Sequence, residues 1–160
     1  MAAKYYDVKT FTSTHSIGYL LKMSHSVMHD SAAAAFAGHD LSFMQWIVLM
    51  KLRENASLTA SELCRDMHHD NGALTRMLDQ LEERDYVQRE RSEADRRVVR
   101  LQLTPAGRRK VTELMPLVVD RFNDALTEFN KAEFVELTRL LNKLIGGVKA
   151  AEETAAAKAS

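Results

Sequence analysis

Arginine and lysine are concentrated in one stretch of this sequence, between residues 84 and 110. The stretch contains four acidic and nine basic residues, the basic ones being Arg84, Arg89, Arg91, Arg96, Arg97, Arg100, Arg108, Arg109 and Lys110. The whole chain is neutral, with 22 basic and 22 acidic residues, so the excess is local. Guanidinium groups match phosphate with paired hydrogen bonds. The stretch therefore predicts a surface for a polyanion.

The segment just before it, which begins at Asp70, has the period of an amphipathic helix. Leu74, Leu78 and Leu81 share one face of that helix, whereas polar side chains lie outside this face. A helix fits the major groove of DNA, where arginine suits guanine and the side-chain amides suit adenine. The candidate base contacts are Asn71, Thr75, Arg76 and Gln80.

After the helix, the period of the apolar residues changes to two. Residues 86–91 and 98–103 alternate in character and are separated by the polar turn 92–95. This pattern predicts a β-hairpin with a charged tip. Its arginines would reach phosphate groups or the minor groove.

The elements before the helix complete a DNA-binding unit. Thr59 and Glu62 have capping-box spacing, so a helix is expected from Thr59 to about Met67, with Asp70 or a neighbour capping the next one. Two short helices joined in this way predict a helix-turn-helix. Ser42 is the expected N-cap of an earlier helix that reaches about Arg53.

Long apolar stripes flank this unit. The first helix is expected to begin with Ser13 or Thr14 as its N-cap, and Thr104 with Pro105 starts a helix after the hairpin that Pro116 should bend. The last helix carries a narrow apolar seam at Phe134, Leu137, Leu141, Leu144 and Val148. One winged-helix unit cannot cover so much apolar surface, so we expect a homodimer that reads palindromic double-stranded DNA.

The predicted fold class is mainly α, a winged helix-turn-helix with a two-stranded β wing. We expect one domain over 1–160, with a DNA-binding lobe at about 59–104 and dimerisation helices at about 13–37 and 105–149. Residues 150–160 are expected to form a flexible tail.

Composition narrows the class of protein. The single cysteine, Cys64, precludes an internal disulfide and fits a reducing compartment. No apolar run approaches the roughly 20 residues of a membrane-spanning helix, and the N-terminal residues lack the apolar core of a signal peptide. We expect a cytoplasmic protein that is not an enzyme and has no cofactor, because glycine-rich phosphate loops, nucleophile elbows and zinc-hydrolase spacings are missing from the sequence.

The sequence resembles the MarR family of winged-helix transcriptional regulators. Residues 95–107, DRRVVRLQLTPAG, look like that family's wing signature, and residues 71–82, NGALTRMLDQLE, look like its recognition helix. The resemblance implies a homodimeric DNA-binding regulator, usually a repressor, in which Arg97 enters the minor groove and Asp95 braces it. The expected DNA-binding residues are Asn71, Ala73, Thr75, Arg76, Gln80, Asp95, Arg96 and Arg97.

The resemblance also implies release from DNA by a small aromatic or phenolic effector. The expected pocket residues are His15, Ser16, Tyr19, Met23, Phe43, Trp46, Ile47 and Met50. In one position the sequence departs from the family, since Asp85 stands where a glycine is common. Aspartate tolerates the left-handed conformation better than most residues, so we expect the turn to be kept.

Two other hypotheses about the function stay open. The chain could be an architectural DNA-binding protein without sequence preference, or a regulator that responds to thiol oxidation or metal. Cys64 is expected on the buried side of its helix, which favours an inert thiol. His25 and His29 lie one helical turn apart, and His68 and His69 are adjacent, but none has a partner at ligand spacing, so no metal site is predicted.

Overall fold

The computed structural model describes residues 4–55, 58–91 and 95–159, with the side chain of residue 159 excepted. Its elements in chain order are a 3-10 turn (Ser13–His15), α1 (Ile17–Ala35), α2 (Phe43–Glu54), β1 (Leu58–Thr59), α3 (Ala60–Met67), α4 (Asn71–Glu83), β2 (Val87–Arg91), β3 (Val99–Leu103), α5 (Pro105–Ala125) and α6 (Lys131–Ala159). The predicted fold class is confirmed: a mainly helical chain with a winged helix-turn-helix.

Side-chain caps fix where the central helices begin. Ser42 and Gln45 form a capping box at α2, and Thr59 and Glu62 form the predicted one at α3. Asp70 caps α4 by accepting the backbone N–H of Ala73 at 2.9 Å. Each cap satisfies amides that a helix leaves unpaired in its first turn.

The predicted start of the first helix is wrong by one short turn. Residues 13–15 form a 3-10 turn, and Ser16 is the N-cap of α1, accepting the N–H of Tyr19 at 3.2 Å. The Ser16 hydroxyl also donates to the carbonyl of Ser13 at 2.8 Å. Several neighbouring hydroxyl residues can cap a helix, so the sequence alone does not select among them.

The sheet has one more strand than the sequence predicts. β3 is central and pairs antiparallel with both β2 and β1, so the described sheet has the order β1-β3-β2. Leu58 lies opposite Leu101, and Val87 lies opposite Leu103. The two residues of β1 are too few to show a period, which explains why the pattern missed them. The predicted tip residues Ser92, Glu93 and Ala94 lie outside the described residues.

The apolar core of the DNA-binding lobe forms around α4. Leu74, Leu78 and Leu81 are buried, as the period predicted, and β3 contributes buried Leu101 and Leu103. Burying these side chains fixes the rotation of α4 about its own axis, because only one of its faces is apolar. The opposite face is thereby turned toward solvent.

The turn after α4 is held by contacts with the start of α5. Asp85 adopts a left-handed conformation with φ of 56°, which confirms the expected turn. The Thr104 hydroxyl donates to the carbonyl of Asp85 at 2.5 Å and accepts the N–H of Gly107 at 3.0 Å. A side chain at Gly107 would overlap the carbonyl oxygen of Tyr86, so only glycine allows this approach.

Asp40, in the loop between α1 and α2, joins that loop to the wing and to α5. Its carboxylate accepts the Tyr86 hydroxyl at 2.6 Å and lies 3.3 Å from the Lys110 ammonium, while Arg84 donates to its backbone carbonyl. The hydrogen bond from Tyr86, aided by Lys110, lowers the pKa of the Asp40 carboxyl below its ordinary value.

Residues 1–121 and 122–160 form two compact units. In the second unit, Asn130 accepts the N–H groups of Ala132 and Glu133 at the start of α6. α6 continues to Ala159, so residues 150–159, expected in a flexible tail, are helical. Large apolar side chains along α6 are exposed, among them Phe134, Val135, Leu137, Leu140, Ile145 and Val148.

Across the described ranges, each helix falls short of the length or the apolar character that a membrane crossing requires.

We expect Gly107→Ala to destabilise the fold by about 1–3 kcal/mol, because the new methyl group would push against the backbone at Tyr86. Urea unfolding of purified protein measures this. Gly18→Ala is the matched control, since a methyl group there meets no atom within 4 Å. Equal midpoints for wild type and Gly107→Ala would contradict the close approach.

Asp40→Asn should lower the free energy of unfolding at pH 7, and the difference from wild type should vanish at acid pH. The folded state lowers the pKa of Asp40, so its contribution is present above the ordinary value of 3.8 and is lost as the pH falls through the folded pKa. The Asp40 side chain is 45% exposed, so the effect should stay below about 1 kcal/mol. Chemical denaturation of both proteins between pH 3 and pH 7 would reveal a constant difference if the carboxylate had no role.

Candidate nucleic-acid interface

The outer face of α4 presents three of the predicted base contacts. Asn71, Thr75 and Arg76 are exposed, and the Arg76 side chain makes no hydrogen bond or ion pair within the described residues. The Thr75 hydroxyl donates to the carbonyl of Asn71 at 2.8 Å. Ala73 is half-buried, and its backbone N–H is used by the Asp70 cap. An exposed helix face with an uncommitted arginine is suited to contacts with base edges.

Gln80 is also exposed and follows Arg76 by four residues, so it lies one helical turn beyond Arg76 on the same side of α4. Its side-chain oxygen accepts the Nε2 amide of buried Gln45 at 2.8 Å. The structure therefore places Gln80 against α2, and its contact with DNA stays a prediction.

The turn between α3 and α4 is fixed by contacts that the sequence did not reveal. His68 adopts a left-handed conformation with φ of 49° at the end of α3. The Cys64 thiol, buried as predicted, donates to the carbonyl of His69 at 2.7 Å, and Nδ1 of His69 accepts the N–H of Asp70 at 3.0 Å. These contacts set the entry of the chain into α4. A histidine in a position that usually favours glycine or asparagine gives no sequence signal for them.

Asp95 organises the described part of the wing turn through the backbone. Its carboxylate accepts the N–H of Arg97 at 3.0 Å, and its carbonyl accepts the N–H of Val98 at 2.9 Å. The Arg96 and Arg97 side chains are exposed. Asp95 thus shapes the backbone that carries Arg97, and the entry of Arg97 into a minor groove stays a prediction.

The basic residues counted in the sequence are not equally available to an outside anion. Arg89 pairs with Asp79 and Glu82 of α4, and Lys110 pairs with Asp40 and Glu113. Hydrogen bonding to Asp79 raises the pKa of Arg89, and hydrogen bonding to Glu113 raises that of Lys110. The charge available to an outside anion is therefore smaller than the sequence count.

The predicted effector-pocket residues differ in burial and in the contacts that they make. Ser16 is the cap of α1, and His15 contacts the Thr12 hydroxyl at 2.9 Å. Tyr19 and Met23 are exposed on α1, and Ile47 and Met50 are half-buried on α2. Phe43 and Trp46 are buried, with the Trp46 indole donating to the carbonyl of Val111 at 3.2 Å.

An open cavity of about 490 Å³ lies among the end of α1, the loop that follows, α2 and α4. Of the eight predicted pocket residues, only Phe43 lines it. The other lining residues are Ala33, Phe36, Ala37, His39, Asp40, Leu41, Ser42, Gln45, Gln80 and Arg84. The cavity thus combines apolar side chains with a guanidinium, a carboxylate and two amides.

The histidines singled out in the sequence lie side by side. The rings of His25 and His29 stack at a centroid distance of 5.9 Å, and His29 also contacts the ring of Phe43. Within the described ranges no group of three potential ligands among histidine, cysteine, aspartate and glutamate is arranged to hold a metal ion.

A helix-turn-helix followed by an antiparallel hairpin defines a winged-helix DNA-binding protein. The family model of the MarR family matches residues 41–99 of this chain. The HTH-type transcriptional regulator SarZ of Staphylococcus aureus is 35% identical over 106 residues, which are 66% of this chain and 68% of SarZ. The chain belongs to the MarR family, which comprises DNA-binding transcriptional regulators rather than enzymes.

Solved structures agree with this assignment. The apo form of wild-type MarR from E. coli superposes with a TM-score of 0.73 at 29% identity, covering 81% of this chain and 96% of MarR. A cysteine-to-serine variant of MarR in complex with operator DNA gives a TM-score of 0.73 at 29% identity, covering 84% of this chain and 97% of that chain. BpsR of Bordetella bronchiseptica, at 24% identity and a TM-score of 0.74, covers 84% of this chain and 96% of its own, and shows the shared fold.

Arg97→Ala should weaken binding to a selected DNA duplex by about tenfold, because a positive charge at the wing turn is lost. If Arg97 contacts phosphate, the slope of log affinity against log salt should also fall by about one unit. Fluorescence anisotropy at several salt concentrations measures both quantities. Unchanged affinity at matched salt, in a variant with wild-type thermal unfolding, would remove Arg97 from the interface.

Proposed function

We propose that this protein is a homodimeric repressor that binds a palindromic operator through α4 and the wing and is released by a small aromatic or phenolic compound. The observation that carries the proposal is the exposed face of α4 with uncommitted Arg76, followed in the same lobe by the exposed arginines of the wing turn. A helix that reads a major groove and a wing that reaches the adjacent minor groove need this pair of surfaces.

The proposed contacts follow from the chemistry of each side chain. Arg76 donates to guanine, and Asn71 pairs with adenine, while Thr75 offers its methyl group and hydroxyl oxygen to base edges and Ala73 lies beside them in the first turn of α4. Arg96 and Arg97 bind in or beside the minor groove, and Asp95 holds the backbone that carries them. Gln80 contributes at the edge of the interface. The MarR complex with operator DNA supports this placement by similarity of fold.

The exposed apolar residues support a homodimer. Phe134, Leu137 and Ile145 on α6 and Ile17 and Leu20 on α1 are each at least 37% exposed. We assign dimerisation to the helices within 13–37 and 105–149 and DNA reading to the lobe at 59–104. Two-fold symmetry then presents two recognition helices to two half-sites of opposite orientation.

The effector proposal rests on the cavity beside α4. Rings of Phe36 and Phe43 offer apolar surface for an aromatic compound, and Arg84 offers a positive charge for an acidic or phenolic oxygen. Because Gln80 of α4 also lines this cavity, a bound compound would contact the helix that reads DNA. The solved structure of BpsR, which shares this fold, concerns regulation of the DNA binding of BpsR by 6-hydroxynicotinic acid.

The test is a selection of bound duplexes from random sequence, followed by fluorescence anisotropy with a panel of aromatic acids and phenols. We expect one palindrome to be enriched, at two copies of the chain per duplex, and at least one compound to release it. Arg84→Met should reduce release without weakening binding in the absence of the compound. Arg53→Met, at an exposed arginine of α2 that does not line the cavity, is the control.

Other outcomes of these experiments discriminate among the alternative hypotheses of function. Equal affinity for random and selected duplexes would support an architectural protein. Release by oxidant that Cys64→Ser abolishes would support a thiol sensor, and release by chelator that depends on His25 and His29 would support a metal sensor. A selected palindrome that no compound releases would overturn the effector part of the proposal alone.

A further inference from the structure

One arginine of the wing reaches back to the helix that reads DNA. Nη2 of Arg89, on β2, lies 2.7 Å from a carboxylate oxygen of Asp79, and Nη1 donates to Glu82. Both carboxylates belong to α4 and are three residues apart, so the two arms of one guanidinium span one turn of the helix. The Arg89 side chain is 32% exposed, and the contact is therefore partly shielded from solvent.

The acidic partners lie in an unexpected place for a DNA-binding helix. Asp79 follows Thr75 by four residues and Arg76 by three, so it shares their exposed face. An unpaired carboxylate there would repel phosphate. Arg89 offsets one of these two negative charges and in doing so is itself unavailable to an outside phosphate.

The contact adds a side-chain link between β2 and α4 to the backbone contacts that hold the base of the wing. At the end of α4, the backbone N–H of Tyr86 donates a hydrogen bond to the carbonyl of Leu81. The next residue, Val87, begins β2 and is buried. Arg89 is two residues farther along the strand and ties the strand to the exposed side of the helix. It thus limits how the wing can swing relative to α4.

We propose that Arg89 is a positioning residue for DNA recognition. Its two-armed ion pair with Asp79 and Glu82, here called the fork, holds the wing and α4 at the angle at which both enter adjacent grooves. This inference rests on the proposed function, in that α4 and the wing must be the DNA-binding surfaces. Preorganising two surfaces spares the complex the entropy of ordering them on binding. A partly exposed ion pair contributes little to folding, so variants should fold while binding DNA more weakly.

The decisive variant removes the acidic partners and keeps their shape. Asp79→Asn/Glu82→Gln deletes two negative charges beside the bound DNA, and electrostatics alone would therefore make binding tighter. If the fork positions the wing, this double variant should instead bind the selected duplex about threefold to fivefold more weakly, the largest change that a partly exposed ion pair can cause. The opposite signs make the result decisive, and thermal unfolding checks that the variant is folded.

A double-mutant cycle with Arg89→Met distinguishes a positioning role of Arg89 from a direct contact of Arg89 with phosphate. Arg89→Met should weaken binding by a similar factor in the wild-type chain but by less than twofold in the Asp79→Asn/Glu82→Gln background, because the fork is already lost there. The matched control is Arg91→Met, on the same face of β2, where the arginine has no ion pair within the described residues. Its effect should be equal in both backgrounds.

The inference is overturned if Asp79→Asn/Glu82→Gln binds the duplex as tightly as wild type or more tightly. It is also overturned if Arg89→Met costs the same factor in both backgrounds, which would indicate a direct phosphate contact. If the wild-type chain binds no duplex at all, the proposed function falls and this inference falls with it; wild-type binding that Arg97→Ala weakens keeps the two failures distinguishable.

Discussion

The rotation of α4 about its own axis is set by burial of one leucine stripe, and the rest of the lobe depends on that constraint. Leu74, Leu78 and Leu81 are each at most 1% exposed. Burying a leucine side chain contributes about 1.5–3 kcal/mol, far more than any surface ion pair of this protein could. The direction in which Arg76 points is therefore decided by apolar residues on the opposite side of the helix, and polar contacts refine that direction.

The junction between α4, the wing and α5 shows how a small set of backbone contacts transmits this placement. Asp85 takes the left-handed conformation, the Thr104 hydroxyl bonds to both sides of the junction, and Gly107 allows α5 to approach Tyr86 closely. Because the N-cap of α5 and the turn after α4 share one hydroxyl group, the wing is held at its base from both chain ends. In the described part of the hairpin turn, Arg96 and Arg97 are exposed.

Local signals in the sequence predicted the parts of this structure that depend on neighbouring residues. The caps at Ser42, Thr59 and Asp70 and the leucine stripe of α4 are such cases, since their partners lie within a few positions. The left-handed turn at Asp85 was expected from the family resemblance, and the Thr104 hydroxyl, which is distant in sequence, donates to its carbonyl. By contrast, β1 depends on pairing with β3, more than 40 residues away, and two residues carry no period of their own.

The site was harder to predict for the same reason. The sequence shows nine basic residues but not their partners, so it could not reveal that Arg89 and Lys110 are held by carboxylates of other elements. The cavity beside α4 assembles from two separate segments, residues 33–45 and 80–84, and only Phe43 among the predicted pocket residues belongs to it. Long-range packing decides such groupings, and a single sequence does not encode them in any spacing.

Gln45 connects these two segments with one amide group. Its oxygen accepts the N–H of Ser42 at 2.9 Å and its nitrogen donates to Gln80 at 2.8 Å, while the side chain is only 7% exposed. A shift of α4 that broke the second bond would leave a buried donor unpaired, at about 1–3 kcal/mol. Gradual sliding is therefore disfavoured, because intermediate positions lose the bond and gain no substitute. The first turn of α2 and the second half of α4 should open to solvent together, as one cooperative unit in hydrogen exchange.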